Sequence, residues 1–570
     1  MENPKERIRE IEKRLEQLPK GTLTYKTING KKQPYVQRTV DGRSVSYYVK
    51  VSEREQILME FAERKRLVEE RKHLLAYREG LAAILKRNPY LDMKVGCGYQ
   101  DFRDFACGRQ FYVDKTHFIV EWLRSESKVT LITRPRRFGK TTLLSTVENF
   151  LDPRFGGHCE YFENLRVWRE EDCRTIYGTI PVISVSFGSC KGRDYAQAIR
   201  GMISSFYNLY ESHRYLMEGE KIDAEDKAVY QRMKKALEMG DETKAESAIP
   251  RLCRLLYRYY GIWPVILLDE YDTPLLEAYT DGYWEEMIGT CRQLFHAAFK
   301  ENAYYSRAII TGVTRVTKNS LFSDLNNIEV DTVTCDVYSD CFGFTEEEVI
   351  DALQCQNVQE FSKVKAMYDG FIFGSQKDIY NPWSICNYLR RGELICYWTN
   401  TSSNKLIGEI IRKHPVRSKH EIEQLMAGET VHKKINENVT FQYLDGDENS
   451  LWSLFLAIGY IKADHVVKHG EITECDVSVT NQEVMEMFRY EVLAMFDNGN
   501  AIYNDFVQAL LQHNVCDMND ILLDIAYTSM SYFDVGKRPS ERAPENFYHG
   551  LVLGLIVSLR DRYRIVSNRE

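Results

Sequence analysis

The sequence predicts an α/β fold: a parallel sheet covered by helices, preceded by a small helix–β-meander–helix module and followed by a helical region. Three observations predict it. Short β-branched, apolar runs alternate with helical stretches between residues 95 and 345, the pattern of parallel strands joined by crossover helices. One of these runs leads into a loop that ends Gly139-Lys140-Thr141-Thr142 and then into the apolar helix Leu143–Phe150. Another, Pro264–Leu268, ends in two consecutive acids, Asp269 and Glu270.

Residues 2–18 read as a helix rich in Glu, Lys and Arg, with Ile8, Ile11 and Leu15 on one stripe. The pairs Asn29-Gly30 and Asp41-Gly42 then punctuate three short runs, Thr22–Ile28, Pro34–Val40 and Val45–Val51. Both dipeptides tolerate positive φ and favour tight hairpin turns, so a three-strand meander is expected. A long helix follows over about residues 52–88, with Ile57, Phe61, Leu67, Leu74 and Leu81 at heptad-like spacing, and Asn88-Pro89 closes the unit. The two helices are expected to pair over the small sheet. Strands of the main sheet are expected at Val129–Thr133, Ile180–Phe187, Val265–Leu268 and Arg307–Thr311. Residues 346–475 read as mainly helical, with breaks at Gly370, Pro382 and Pro415. Residues 480–560 read as helical again, ending in Phe547–Leu559, with a strand-like Tyr563–Val566 after it.

Length and composition narrow the function classes. A chain of 570 residues makes three or four domains of roughly 100–200 residues each. It holds no apolar run of about 18 residues, so no membrane span is expected. Its N-terminus, Met1-Glu2-Asn3-Pro4-Lys5-Glu6, opens a charged stretch unlike a secretory signal. The 14 cysteines are scattered without a C-x-x-C pair, which fits a reducing compartment and points to the cytoplasm. Charge is unevenly spread. Residues 1–90 hold 21 Lys+Arg and 13 Asp+Glu, a balance of +8. The whole chain has 75 and 83, which leaves 54 and 70, or −16, for the rest. A basic segment on an acidic body suits either an acidic partner or a solvated helical face.

The candidate chemistry lies in the loop Thr133-Arg134-Pro135-Arg136-Arg137-Phe138-Gly139-Lys140-Thr141-Thr142. A strand before it and a helix after it are the context a phosphate-binding loop requires, since backbone N–H groups at the helix start face the anion. Lys140 would reach the β and γ phosphates of ATP as a point charge, and the Thr141 hydroxyl would hold Mg²⁺. The usual pattern begins with Gly where this chain has Arg134. A basic turn capping a helix is the plainer reading of the loop taken alone. Asp269 at its strand tip would bind the same Mg²⁺ through water, opposite Thr141, and Glu270 would polarise the attacking water. Acids after an apolar strand also serve as helix caps, but the two motifs together are far more specific than either. Thr311, at the tip of a third strand, is a candidate γ-phosphate sensor, and Arg315 a candidate charge stabiliser. A strand end with an ordinary Arg is the equal alternative.

These motifs resemble the AAA-ATPase-like family of bacterial proteins that carry a PD-(D/E)XK nuclease-like domain at their C-terminus. The matching words are Tyr112-Val113-Asp114-Lys115-Thr116, Arg134 to Lys140, Leu268-Asp269-Glu270-Tyr271-Asp272, Ser323-Asp324-Leu325-Asn326-Asn327, Tyr380-Asn381-Pro382-Trp383-Ser384 and Gly459-Tyr460-Ile461. The resemblance covers about residues 95–570 and accounts for Arg134, because the family's loop reads R-P-R-R-F-G-K. It implies a P-loop NTPase domain over 95–345, a helical, winged-helix-like region over 346–475 and a nuclease-like domain over 480–570. It also implies ATP hydrolysis driving a conformational cycle, in a bacterial defence or mobile-element system. A nucleotide-dependent switch or scaffold with little turnover is the alternative.

The chain departs from the family at its end. The nuclease-like strands that bear Gly-Arg-x-Asp and an acid with a Lys would follow the helix that Glu545–Leu559 resembles, and this chain stops at Ser567-Asn568-Arg569-Glu570. No nuclease activity is expected, and a second chain or protein partner is expected to complete the domain. For Glu545 an N-terminal helix acid favoured by the dipole is the first reading, and the helix acid that some such nucleases use is the second. The triplets Asp92-Met93-Lys94 and Glu126-Ser127-Lys128 follow no nuclease-like core. The module over 1–90 lies outside the family's common core. Its Lys26, Lys31, Lys32, Arg38, Arg43 and Lys50 alternate with Tyr25, Tyr35, Tyr47 and Tyr48, which suits a nucleic-acid face and equally a solvated small sheet.

Overall fold

The computed structural model describes residues 4–28, 31–40, 43–87, 95–108, 110–316, 321–322, 328–356, 358, 360–399, 421–422, 424–437, 448–469, 472–494 and 499–529. Outside them fall the two turn dipeptides, Asn88-Pro89, Asp92–Lys94, Ser323–Asn327 and Pro415. So do Glu545, Phe547–Leu559 and Tyr563–Val566. The chain divides into two units, Met1–Asp92 and Met93–Glu570.

In the first unit, α1 (Pro4–Gln17) and α2 (Arg54–Arg87) flank an antiparallel meander of β1 (Thr22–Ile28), β2 (Lys31–Val40) and β3 (Arg43–Tyr48). Ile28 pairs with Lys31 and Val40 with Arg43, so each connection spans two residues. The helices meet through Ile11, Leu18 and Leu67, all buried. Arg14–Glu63 at 2.9 Å and Arg71–Glu12 at 2.7 Å cross between them on the surface. Such exposed pairs contribute little, so the apolar contact holds the pair together.

The second unit is built on a five-stranded parallel sheet of β4 (Val129–Thr133), β5 (Val182–Ser186), β6 (Val265–Asp269), β7 (Ala308–Gly312) and β8 (Ile328–Asp331), in the order β5-β6-β7-β4-β8. Every residue of β4, β6 and β7 is buried. Helices on both faces explain why those strands read as unbroken apolar runs. The edge strand β8 is not among the strands expected from the sequence. Its residues Ile-Glu-Val-Asp are only partly buried apart from Asp331, and Glu329 interrupts the apolar run that would have marked it. The order places β7 between β4 and β6. The tips of the two motif-bearing strands therefore lie one strand apart at the carboxyl edge, where α/β sheets bind ligands.

The described residues of 346–475 are less helical than expected. Helices Glu346–Cys355, Phe361–Tyr368, Pro382–Arg391 and Glu448–Ile458 alternate with two three-stranded antiparallel sheets. One has the order β10 (Asp369–Phe373), β11 (Gln376–Tyr380), β9 (Phe344–Thr345). The other has the order β12 (Val431–Asn436), β14 (Ile472–Val479), β13 (Ile461–His469). In β12 the buried face carries Val431, Lys433 and Ile435, with Lys433 paired to buried Glu421, and in β14 Glu474 and Asp476 alternate with buried Thr473, Cys475 and Val477. That period of two is easily lost among neighbouring helices. Beyond them lie helices Gln482–Ala494, Gly499–Leu511 and Val515–Ser529. No helix among the described residues is long and apolar enough to cross a membrane, and all 14 cysteines are free thiols.

Candidate active site

The loop after β4 is shaped by its backbone. Arg137 and Gly139 both take left-handed φ, 69° and 83°, a curl that lets successive N–H groups converge on one anion. A side chain on Gly139 would meet nothing, so backbone conformation is what favours Gly there. The helix Lys140–Leu151 starts at once, and no side chain caps its first turn. The orphan N–H groups and the positive end of the helix dipole are thus left for an anion.

Lys140 is 7% exposed, and its Nζ donates to the carbonyls of Arg134 at 2.8 Å and Pro135 at 2.7 Å. Burial pushes its ammonium down to about 8, against the pull of Asp269, Asp272 and Glu270. Thr141 Oγ1 donates to Asp269 Oδ2 at 2.6 Å, which joins the two motifs. The other oxygen, Oδ1, accepts the Thr311 hydroxyl and the Glu270 N–H. Asp269 is thereby fixed by one hydroxyl from the helix Lys140–Leu151 and one from β7.

Glu270 follows with φ 52°, a left-handed conformation that few non-glycine residues hold without support. Its Oε2 accepts the Thr273 hydroxyl at 3.1 Å. A Cβ on Gly188 would stand 2.7 Å from that oxygen, so the bend after β5 comes close to the carboxylate because it lacks a side chain. The helix Thr273–Asp281 has Asp272 at its N-cap position, yet Asp272 makes no capping bond. Its carboxylate instead accepts the N–H groups of Val313 and Thr314, at 2.9 and 2.7 Å, and the Thr314 hydroxyl.

A cavity of about 390 Å³ opens over these groups. Arg136 to Leu143 line one side, with Glu270, Asp272, Gly312 and Val313 beside them. Tyr99, Phe105, Phe111, Tyr112, Phe344 and Trp383 make an aromatic wall, and Lys115 and Lys191 add cations. The sequence had assigned no role to Asp272, to these lysines or to the wall. Asp272, Tyr112, Lys115 and Trp383 stood in quoted motif words, but Lys191 and the other rings come from separate loops with no shared spacing.

Several sequence candidates lie off the cavity. Asp269 and Thr311 sit behind its lining, and Arg315 and Pro135 do not line it. Arg134 differs most from its expected place in the nucleotide-holding loop. Its side chain is fully buried and turned away, with Nη2 2.7 Å from Asp331 Oδ2 at the tip of β8. The guanidinium also lies over the rings of Phe342 and Phe373. Where the usual loop has Gly, Arg134 ties the loop's start to the sheet edge. A buried charge without its partner costs about 3–5 kcal/mol. Asp331→Ala is expected to destabilise the protein by about that much, and Arg134→Met/Asp331→Leu by less, measured as a shift in urea unfolding. Equal loss in both variants would refute the pairing account.

The loop is also held from the other side. The Arg136 carbonyl accepts Trp398 Nε1 at 3.0 Å and Asn381 Nδ2 at 3.4 Å, and the Arg137 guanidinium lies 4.5 Å from the Trp383 ring centre. Glu483, buried, accepts the Trp398 N–H and the Ser384 hydroxyl, at 2.6 and 2.8 Å, and so locks both segments.

Comparison with known proteins agrees with this geometry. Residues 96–322 match the family described as predicted AAA-ATPase, and residues 1–58 match a domain of unknown function, DUF6788. An uncharacterized protein in the vnfD 5′ region of Azotobacter chroococcum mcd 1 is 28% identical over 339 residues, 59% of each chain. The match thus spans 59% of that relative's length. The fold and these matches define a protein with an AAA-ATPase-like domain over residues 96–322. That family suggests nucleotide binding and ATPase activity.

Proposed function

We propose that the cavity binds ATP with Mg²⁺ and hydrolyses its terminal phosphoanhydride bond. The observation that carries this reading is the 2.6 Å hydrogen bond from Thr141 to Asp269. It brings a phosphate-loop hydroxyl and a strand-tip acid together beside Lys140 and Glu270. Hydroxyl and carboxylate oxygens are the donors Mg²⁺ prefers, so Thr141 and, through water, Asp269 would hold the ion. When bound it would neutralise charge on the β and γ phosphates. Lys140 would leave the loop carbonyls for the phosphates, joined by the uncapped N–H groups of the helix it begins, with Arg136 and Lys191 as further cations. Glu270 would orient water for in-line attack: the water oxygen bonds to the γ phosphorus, the bond to the β-phosphate oxygen breaks, and ADP and phosphate leave. Thr311 acts through Asp269, as a positioning group.

The aromatic wall suits the base, since ring stacking is worth about 1–3 kcal/mol. Tyr99 is 44% exposed, so removing it costs little packing. Tyr99→Ala is expected to weaken ATP about tenfold and leave tripolyphosphate unchanged, by competition titration. Equal weakening of both would place the base elsewhere. Magnesium-dependent phosphate release by the purified chain tests the main reading. Tight binding without release would leave a nucleotide-dependent switch, a reading favoured by the bonds that tie Lys140 to its own loop.

A further inference from the structure

One face of the first unit's meander is covered at its centre, where Pro34, Val36 and Val49 are buried, while Tyr25, Val45 and Tyr47 on that side stay exposed; the other face is open, with none of its described residues buried. The register puts Thr24, Lys26 and Ile28 of β1 on the other side, with Lys31, Gln33, Tyr35 and Gln37 of β2 and Ser46 and Tyr48 of β3. The strands are charged with one sign only. They carry Lys26 and Lys31 on the open face, Lys32 and Arg38 on the other, and Arg43, with no Asp or Glu, and ten of the unit's fourteen acids lie on α1 and α2.

The open face is organised around two rings. Tyr35 and Tyr48 meet edge to face, with centroids 5.5 Å apart. Lys26 Nζ lies 4.8 Å from the Tyr35 ring centre. Arg54 Nη2 donates to Gln33 Oε1 at 2.6 Å, the oxygen that also accepts the Tyr48 hydroxyl. The tyrosine pair is thus bracketed by a cation on each side, and Tyr48 is 46% exposed.

We propose that this face binds a single nucleic-acid strand, its bases against Tyr35 and Tyr48 and its phosphates against Lys26, Lys31 and Arg54. An acid-free sheet fits a polyanion. An exposed ring, Tyr48, beside the half-buried Tyr35 and flanked by cations, is what unpaired bases and their backbone require, whereas the bases of a duplex are already stacked on one another. Gln33, Gln37, Thr24 and Ser46 share the face. They offer hydrogen bonds to base edges, where insertion into a bilayer needs apolar groups. Such binding needs no nucleotide hydrolysis in the second unit.

The test is fluorescence anisotropy of labelled single-stranded and duplex oligonucleotides, titrated with the full chain across a salt series. Anionic phosphatidylserine vesicles are a separate arm. The wild type is expected to bind the single strand more tightly than the duplex or the vesicles. Tyr48→Ala should weaken single-strand binding about tenfold. Lys26→Gln/Lys31→Gln should reduce the slope of log affinity against log salt by about 1.4, or about 0.7 for each phosphate no longer neutralised. Lys26 and Lys31 are exposed, so that variant keeps the test sound even if Tyr48→Ala fails to fold. No binding at micromolar concentration in low salt would overturn the proposal. So would tighter binding to duplex or vesicles, or wild-type salt dependence in the lysine variant.

Discussion

Glu270→Gln is expected to bind ATP as the wild type does and to release phosphate about 10²–10⁴-fold more slowly. The amide has nearly the shape of the carboxylate and still accepts the Thr273 hydroxyl, so the left-handed backbone at residue 270 keeps its support. What it loses is the charge that draws a proton from water. Neither Lys140 nor Thr141 has a hydrogen bond to Glu270, so the phosphate end of the cavity is undisturbed. The measurement pairs equilibrium nucleotide binding with single-turnover phosphate release. Hydrolysis at the wild-type rate would show that another group activates the water.

Lys140→Ala is expected to lose ATP affinity by a hundredfold or more, about 3 kcal/mol or above, because a charge-assisted contact to phosphate is removed from a buried site. Arg136 and Lys191 also line the cavity, but neither stands at the helix start. The loss should not come from unfolding. Burial already holds the ammonium near a pKa of about 8, so its charge is a cost to the nucleotide-free fold. Calorimetric titration checks the affinity and thermal unfolding checks the fold. Wild-type affinity in a folded variant would remove Lys140 from the phosphate site.

How far the sequence could be read follows from where each signal lies. The runs Val129–Thr133, Val265–Leu268 and Arg307–Thr311 were legible because strands covered on both faces need apolar residues at every position. That Lys140, Thr141, Asp269 and Glu270 come together was legible because each stands at or just beyond the end of such a strand, at one edge of the sheet. The strand β8 was not, because an edge strand tolerates Glu329. Nor were β12 to β14, whose alternation is spaced by charges. The fate of the Arg134 side chain was hidden for another reason. It is set by Asp331, 197 residues later, and no local pattern records so distant a partner. The aromatic wall is equally non-local, since Tyr99, Phe344 and Trp383 meet only through the folded chain.

The carbonyl of Arg136 takes its two side-chain donors from residues 381 and 398, far beyond the loop it stabilises. On the proposed reading, seating a nucleotide would draw Lys140 off the Arg134 and Pro135 carbonyls just before it, and the loop would be re-tensioned against anchors it does not own. Free-energy coupling runs equally in both directions. Any coupling between a bound nucleotide and the segments held by Glu483 would therefore change both affinities by one factor. A buried glutamate more than 340 residues from Lys140 thus holds the segments that support the loop without lining the cavity.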